Sequence, residues 1–343
     1  MQAVILAAGA STRTYPLTLT KPKPLLKVAN KALLEHNLDN LKGLVDEIIL
    51  VVGYKKDMIK DFLTDKYENL KIKFVHQQEQ LGTGHALLSA EKYIENEFIL
   101  LFADDLYSKE DIKKLLKNKY SILTKEVENP ELFGVVKENN GIILDIIEKP
   151  QMHISNLIST GLYKFDKKIF PLLKKVKKSE RKEYEMTDAI RELAIVENIH
   201  CVQGRQWLPI GYPWDLLKAD KILRGRKNLI GEKTKIEGKV ENSSIGNNCI
   251  IKGKVRNSII MDDSIVDEDS VVEDSVIGEN VYFKGKVKSD KNIKSLVKGK
   301  PVLVEKLGTI IADNVVAKGV DIKPGCKIWP NKKISGKIGN DIT

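Results

Sequence analysis

The sequence predicts two architectures in series: an α/β domain, Rossmann-like and built on a mixed, mainly parallel sheet, over residues 1–225, then a hexapeptide-repeat parallel β-helix over residues 226–343. Three observations predict this. Short apolar runs alternate with longer amphipathic ones in the first part, the hydrophobic period changes to six near residue 228, and 343 residues argue for two domains or three.

In order, the first part reads QAVILA, ALLEHNLDNLKGL, EIILVV, KKDMIKDFL, KIKFVH, ALLSAEKYI and FILLFA. Continuous apolar strands joined by helical crossovers imply a parallel sheet buried on both faces, with ligands at the carboxyl ends of its strands. From about residue 120 to 165 the runs SILTKEV, FGVVKE, GIILDIIE and LISTGLYKF lack long helices between them, so a β-rich insertion forming a second wall is expected. In the second part Ile259, Ile265, Val271, Ile277 and Phe283 recur every sixth residue, as do Ile310, Val316, Ile322, Ile328 and Ile334. One inward aliphatic per six residues, with Gly or Asn at turns, describes one face of a triangular β-helix. GKVENSSI and GKVRNSII repeat at fifteen, and the lysine-rich segment 286–306 breaks the rhythm as an excursion, expected to be a solvated loop.

Composition narrows the function. Hydrophobic residues at 42% and charged residues at 30% exclude wholesale disorder. No apolar run approaches the ~20 residues of a membrane span, and the amino terminus lacks a basic region ahead of an apolar run, so a soluble, cytoplasmic protein is expected. Cys201, Cys249 and Cys326 lie far apart, giving neither a disulfide framework nor a zinc site. The net charge of +10 divides into +4 over residues 1–225 and +6 over 226–343, diffuse and without an arginine cluster among aromatics. Neither nucleic acid nor membrane is an expected partner; anionic small substrates are.

The chemistry concentrates in LAAGASTRTYPLTLTKPKPLLKV, residues 6–28, directly after the first strand. At that strand's end Ala7, Ala8, Gly9, Ala10 and Ser11 are small enough for backbone N–H groups to approach a phosphate. Arg13 offers a bidentate guanidinium, and Lys23, between Pro22 and Pro24 in a restricted extended segment, a point charge. The stretch fits neither the P-loop pattern nor a complete G-x-G-x-x-G fingerprint.

At these residues the chain resembles the sugar-1-phosphate nucleotidyltransferases, or nucleoside-diphosphate-sugar pyrophosphorylases, whose signature reads L-A-A-G-x-G-T-R-x-x-P-L-T-x-x-x-P-K-P-L. It departs at Ser11, where the family has glycine, so a strained torsion is expected there. The resemblance makes Arg13 and Lys23 catalytic and Leu6, Ala7, Ala8 and Gly9 nucleotide-binding. It assigns Gln77 to a pyrimidine edge and brings Gly82 and Thr83, in QLGTGHA, close to the base; His85 is read as a packing or capping residue. Asp104, at the end of FILLFA, becomes the Mg²⁺ ligand. Gly134, Glu148, Lys149, Ser159, Thr160 and Gly161 resemble the sugar-phosphate pocket, with Glu148 accepting from hydroxyls and Lys149 meeting the phosphate. EYEMTD (183–188) resembles a helix-starting segment of the family. Pro209 stands where the family often carries a second metal-binding Asp or Asn, and Asp215 is read as facing solvent rather than taking that role.

The implied reaction is attack by a sugar 1-phosphate oxygen on the α-phosphorus of a nucleoside triphosphate, with release of pyrophosphate. QLGTGHA and the β-helical tail resemble most the N-acetylglucosamine-1-phosphate uridylyltransferases, giving UDP-N-acetylglucosamine. Glucose-1-phosphate thymidylyl- or uridylyltransferases and mannose-1-phosphate guanylyltransferases are alternatives within the family, and non-catalytic nucleotide-exchange subunits of translation initiation factors are an alternative outside it. The resemblance also makes the β-helix left-handed. All five histidines (His36, His76, His85, His153, His200) precede it, and Glu268 stands where acetyltransferase relatives carry theirs, arguing against acetyl transfer. A structural tail mediating homo-oligomers is expected instead, with residues 1–225 keeping some turnover but losing assembly without it.

Overall fold

The computed structural model describes residues 1–67 and 70–343. Contact density divides the chain into two compact units, one of residues 1–9 and 34–208, the other of residues 10–33 and 209–343.

The first unit is organised by a nine-stranded sheet. Its strands are β1 (Gln2–Ala7), β2 (Glu47–Val52), β3 (Ile72–His76), β4 (Phe98–Phe102), β5 (Ser121–Glu126), β6 (Gly134–Asn139), β7 (Ile142–Glu148), β8 (Leu157–Phe165) and β9 (His200–Gln203). They lie in the order β3-β2-β1-β4-β8-β5-β9-β7-β6. β1 is parallel to both β2 and β4, and β2 to β3. All six residues of β1 and of β2 are buried, as a strand covered on both faces requires. The chain runs outward from β1 to β3 and returns on the other side of β1 to β4. This reversal opens a crevice at the carboxyl ends of β1 and β4, where open α/β sheets bind ligands.

The strands from residue 121 to 165 do not build a separate wall. β8 pairs antiparallel with β4 and β5, so the same sheet continues through them. The physical reason is the exposed hydrogen-bonding edge of β4, which would otherwise leave buried N–H and C=O groups unpaired. Among the packed side chains are Ala86, Leu87 and Ala90 of helix Thr83–Ala90, and Met186, Ala189, Ile190 and Leu193 of helix Met186–Val196.

In the second unit, three parallel ladders form the left-handed β-helix. The first face stacks Leu229–Ile230, Ser244–Ile245, Ile259–Ile260, Val276–Ile277, Ile310–Ile311 and Lys327–Ile328. The second begins with Lys235–Ile236 on Ile250–Ile251, and the third with Lys239–Glu241 on Lys254–Arg256. Coils repeat at 15 residues early and at 17 later. That lengthening shifts the six-residue register. Ile277, Phe283, Ile322 and Ile328 point into the core, but in other coils the inward residue is the next one, Ile260, Val266, Val272, Ile311 and Ala317.

The lysine-rich excursion is an ordered hairpin, Asp290–Val297 antiparallel to Lys300–Leu307, while Lys286 and Val287 remain in the β-helix ladder. Val297, Val304 and Leu307 are buried, and Ser295 Oγ donates to the Gly325 carbonyl at 2.9 Å. Period-two burial of one side of the hairpin explains why the segment is not a solvated loop.

Candidate active site

Strand register gathers the residues of the first unit. Ala7 is level with Val52, Val52 with His76, and Leu6 with Phe102, so Gly9, Gly53, Gln77 and Asp104 all follow one aligned row of carboxyl ends. Leu6, Ala7 and Ala8 bury their side chains, whereas Gly9 is exposed with open space on its Cβ side. The Ala8 carbonyl accepts from the Tyr54 N–H at 3.0 Å, and a Cβ on Gly53 would stand 2.7 Å from that oxygen. Gly53 is therefore a residue the sequence reading missed, although a glycine directly after EIILVV was its visible signal.

Gln77 is buried, its Nε2 donating to the Gly82 carbonyl at 3.3 Å and lying 3.0 Å from His85 Nδ1. Gly82, at φ 101°, could not carry a side chain, because its Cβ would come within 2.9 Å of Tyr184 backbone atoms. The loop is held there by two bonds: Tyr184 N–H donates to Leu81 O at 2.8 Å, and Gly84 N–H to Tyr184 O at 2.9 Å. Thr83 Oγ1 accepts from Met186 N–H at 3.3 Å. EYEMTD thus does more than start a helix, since it pins the QLGTGHA loop.

On the other side of β1, Asp105 accepts from Trp207 Nε1 at 3.0 Å, and Trp207 packs edge-on against Phe133. Asp104, partly exposed, stands one residue before it. Burial, then the nearby carboxylates Asp105 and Asp104, hold the Tyr107 phenol well above its ordinary value. Among the described residues no group of three His, Cys, Asp or Glu side chains is arranged to hold a metal ion, so Asp104 does not belong to an all-protein cage. Mg²⁺ favours this donor set, since it keeps several waters and takes one or two carboxylates with substrate phosphates. The residues fit.

Gly161 follows from the same register, because Leu162 pairs with Leu101 of β4. It has φ 84°, and a Cβ there would lie 2.5 Å from the Phe102 ring. Ser159 Oγ donates to Tyr163 Oη at 2.9 Å and Thr160 Oγ1 to the Leu123 carbonyl at 3.0 Å, so both hydroxyls brace the strand. Glu148 is the cross-strand partner of Gly134, where a Cβ would approach Thr187 Cγ2 to 2.8 Å and Glu148 Oε2 to 3.2 Å. Lys149 is exposed at φ 45°, its N–H bonded to Phe133 O at 2.9 Å. Arg181, which the sequence reading passed over, bonds both Glu148 (3.2 Å) and Glu185 (2.8 Å). Burial pushes the Glu148 carboxyl up, and the Arg181 charge opposes that rise.

Arg13 and Lys23 belong to the second unit. Ser11 sits at φ 49°, ψ 50°, the left-handed torsion that the departure from glycine suggested, and its carbonyl accepts from Thr14 N–H (3.1 Å), Thr14 Oγ1 (2.7 Å) and Thr18 Oγ1 (3.0 Å). The exposed Arg13 guanidinium lies 5.9 Å from the Tyr212 ring centroid, and Tyr212 stacks on Trp214. Lys23 is buried and begins a 3₁₀ turn rather than an extended segment, closed by Leu25 N–H to Pro22 O (3.0 Å) and Leu26 N–H to Lys23 O (2.9 Å). Asp215 is only partly exposed and turns its carboxylate onto the backbone. Its Oδ2 accepts from Gly211 N–H (2.8 Å) and Tyr212 N–H (2.7 Å); burial raises its carboxyl, while these bonds and the charge of Lys23 oppose the rise. Pro209 ends the strand Trp207–Pro209 and has no side-chain donor for a metal.

Comparison with known proteins bears on this arrangement. Residues 2–225 match the family described as nucleotidyl transferase, and residues 221–342 the GMPPB C-terminal domain. The chain is 43% identical over 249 residues to the bifunctional protein GlmU of Methanocaldococcus jannaschii, covering 71% of this chain and 58% of that protein. The GlmU of Methanococcus maripaludis strain C5 is 33% identical over 402 residues, covering 100% of this chain and 95% of that protein. A UDP-glucose pyrophosphorylase crystallised with UDP-glucose superposes with a TM-score of 0.59 at 25% identity, over 65% of this chain and 98% of that one. A protein of Sulfurisphaera tokodaii named bifunctional sugar-1-phosphate nucleotidylyltransferase/acetyltransferase is 33% identical over 254 residues, covering 70% of this chain and 61% of that protein. The chain belongs to the nucleotidyl transferase family.

Proposed function

We propose that this protein transfers uridylyl from UTP to N-acetylglucosamine 1-phosphate, releasing pyrophosphate. What supports this reading is the register of β1, β2, β3 and β4, after whose aligned carboxyl ends Gly9, Gln77 and Asp104 follow, with Gly161 and the Gly134–Glu148 pair in the strands beyond. In this reading Leu6–Gly9 present backbone to phosphate, and Gln77 Oε1 accepts from the imide N–H of a pyrimidine while Gly82 and Thr83 flank the base. Arg13 and Lys23 neutralise the triphosphate, Glu148 accepts from sugar hydroxyls beside Gly134, and Lys149 draws in the sugar phosphate. Ser159, Thr160 and Gly161 shape the wall between them.

A sugar-phosphate oxygen attacks the α-phosphorus, and the bond from that phosphorus to the departing pyrophosphate breaks. The attacking phosphate monoester has a second pKa of about 6 and needs no general base at neutral pH, so alignment and charge neutralisation carry the catalysis. Asp104 would hold Mg²⁺, which when bound neutralises and orients phosphate oxygens. Residues 226–343 we assign to structure and to assembly of copies rather than to acetyl transfer, because the β-helix contains no histidine.

A second reading keeps the reaction and takes glucose 1-phosphate, favoured by the superposition on the UDP-glucose pyrophosphorylase. One assay decides: pyrophosphate release with Mg²⁺, four nucleoside triphosphates and the 1-phosphates of N-acetylglucosamine, glucose and mannose. UTP with N-acetylglucosamine 1-phosphate is expected to give the highest kcat/KM, and Lys23→Ala to abolish most of it. Undiminished activity in Lys23→Ala removes the assignment of that lysine.

A further inference from the structure

We propose that the β-helix sets the position of the phosphate-binding segment, with Asp313 and Asp262 as positioning residues for nucleotidyl transfer; this rests on the assignment of Arg13 and Lys23 to the triphosphate. Within the second unit, residues 10–33 are bonded down one corner of the β-helix. Thr20 Oγ1 donates to Asp313 Oδ2 at 2.6 Å. Lys21 Nζ lies 3.1 Å from Asp313 and 2.6 Å from Glu279, contacts that are ionic rather than directed hydrogen bonds. Lys27 pairs with Asp262 Oδ2, and Asn30 Nδ2 donates to the Ile245 carbonyl at 2.8 Å. Ile245, Asp262, Glu279 and Asp313 come from four successive coils, each at or just past the end of a first-face strand.

The corner is built to hold these carboxylates still. Asp313 Oδ1 accepts from Glu279 N–H at 2.8 Å, and Asp262 Oδ1 from Asn247 N–H at 3.0 Å. A Cβ on Gly278 would stand 2.5 Å from Asp313 Oδ1, and one on Gly246 2.3 Å from Asp262 Oδ1. Each aspartate therefore anchors one oxygen in the coil before it, through room left by a glycine, and presents the other to the segment. Exposed ion pairs contribute little, but the Lys21 and Asp313 side chains are only 6% and 8% exposed, so each depends on the other for compensation. Lys21 is separated from Lys23 by Pro22, whose ring fixes φ, so the position of one constrains the other. The fragment 1–225 then lacks the frame that places its own Arg13 and Lys23, which reverses the expectation that it retains turnover.

The test uses the full chain carrying Asp313→Asn, Asp262→Asn, both together, or the exposed control Asp321→Asn. Amide exchange is followed over residues 11–30 and over the ladders at 310–328, alongside kcat and KM for UTP and the sugar phosphate. Expected are faster exchange confined to 11–30, a fall of at least tenfold in kcat/KM for UTP in the double variant, and an unchanged KM for the sugar phosphate. Lys21→Met is expected to add little once Asp313→Asn is present, because both cut the same link. Exchange and kinetics matching those of Asp321→Asn overturn the proposal. If Asp313→Asn also loses ladder protection, Thr20→Val, which removes only the hydroxyl link, decides by the same readouts. A wild-type chain without pyrophosphate release refutes the functional reading, while exchange over 11–30 still decides whether the corner holds the segment.

Discussion

Arg181 donates through Nη2 to Glu148 Oε1 at 3.2 Å while the same nitrogen reaches Glu185 at 2.8 Å, tying the carboxylate assigned to the sugar to the start of the helix Met186–Val196. Burial raises the Glu148 carboxyl above its ordinary value, and Arg181 limits the rise. Replacing Arg181 by Ala removes the limit, so the fraction of ionised Glu148 falls at any given acidic pH. The pair is long and partly exposed, so the loss is discounted for solvent screening to about 1 kcal/mol at most, and kcat/KM for the sugar phosphate is expected to drop a few-fold. The acidic limb of its pH profile is expected to move to higher pH in Arg181→Ala; superimposable limbs count against this role.

Ser11 occupies a left-handed torsion without a side-chain capping bond. The conformation costs a non-glycine residue about 1–2 kcal/mol, and glycine forfeits about 0.5–1 kcal/mol of unfolded-state entropy. Ser11→Gly is therefore expected to keep stability within about 1 kcal/mol and to retain activity. Ser11→Val, branched at Cβ, is expected to lose about 1–3 kcal/mol in denaturant titrations.

Gly53 has no such tolerance. Its added Cβ would meet the Ala8 carbonyl at 2.7 Å and Gln80 Nε2 at 3.0 Å, and a backbone oxygen cannot rotate away. Gly53→Ala is expected to cost about 1–3 kcal/mol of stability and to displace the loop after β1. Initial-rate kinetics should show KM for UTP rising several-fold and KM for the sugar phosphate holding.

Glu47 contributes to acid stability in the first unit. Burial alone would raise its carboxyl, but the hydrogen bond from Gln2 and the ion pairs with Lys73 and Lys71 outweigh that and hold it at about 2, against an ordinary 4.5. The folded state then binds fewer protons than the unfolded chain as pH falls between these values. Its contribution is complete above pH 4.5 and lost on acidification toward 2. Glu47→Gln is expected to flatten the stability curve over that interval, as read by urea melts at several pH values.

Legibility followed the physics of local pattern. β1 through β4 could be read because continuous apolar runs punctuated by amphipathic helices encode a parallel sheet, and Gly9, Gln77 and Asp104 fall where such strands end. The strands 121–165 carried their strand character but not their partners, since antiparallel pairing of β8 with β4 is a long-range choice. The β-helix period was visible, while the inward register escaped because coils of 15 and 17 residues do not preserve a strict six. Arg181 gave no motif signal, and Gly53 only the weak one of a glycine directly after EIILVV. Lys21 and Lys27 were indistinguishable from surface lysines in the sequence, and only the fold sets Asp313 and Asp262 against them.

The most direct test of the central claim is a crystal structure of the full chain with Mg²⁺ and a non-hydrolysable UTP analogue. The account predicts the uracil against Gln77 and Gly82, with the phosphates over the backbone at Gly9 and beside Arg13. A nucleotide bound elsewhere, with the loop after β1 closed against it, would contradict the account.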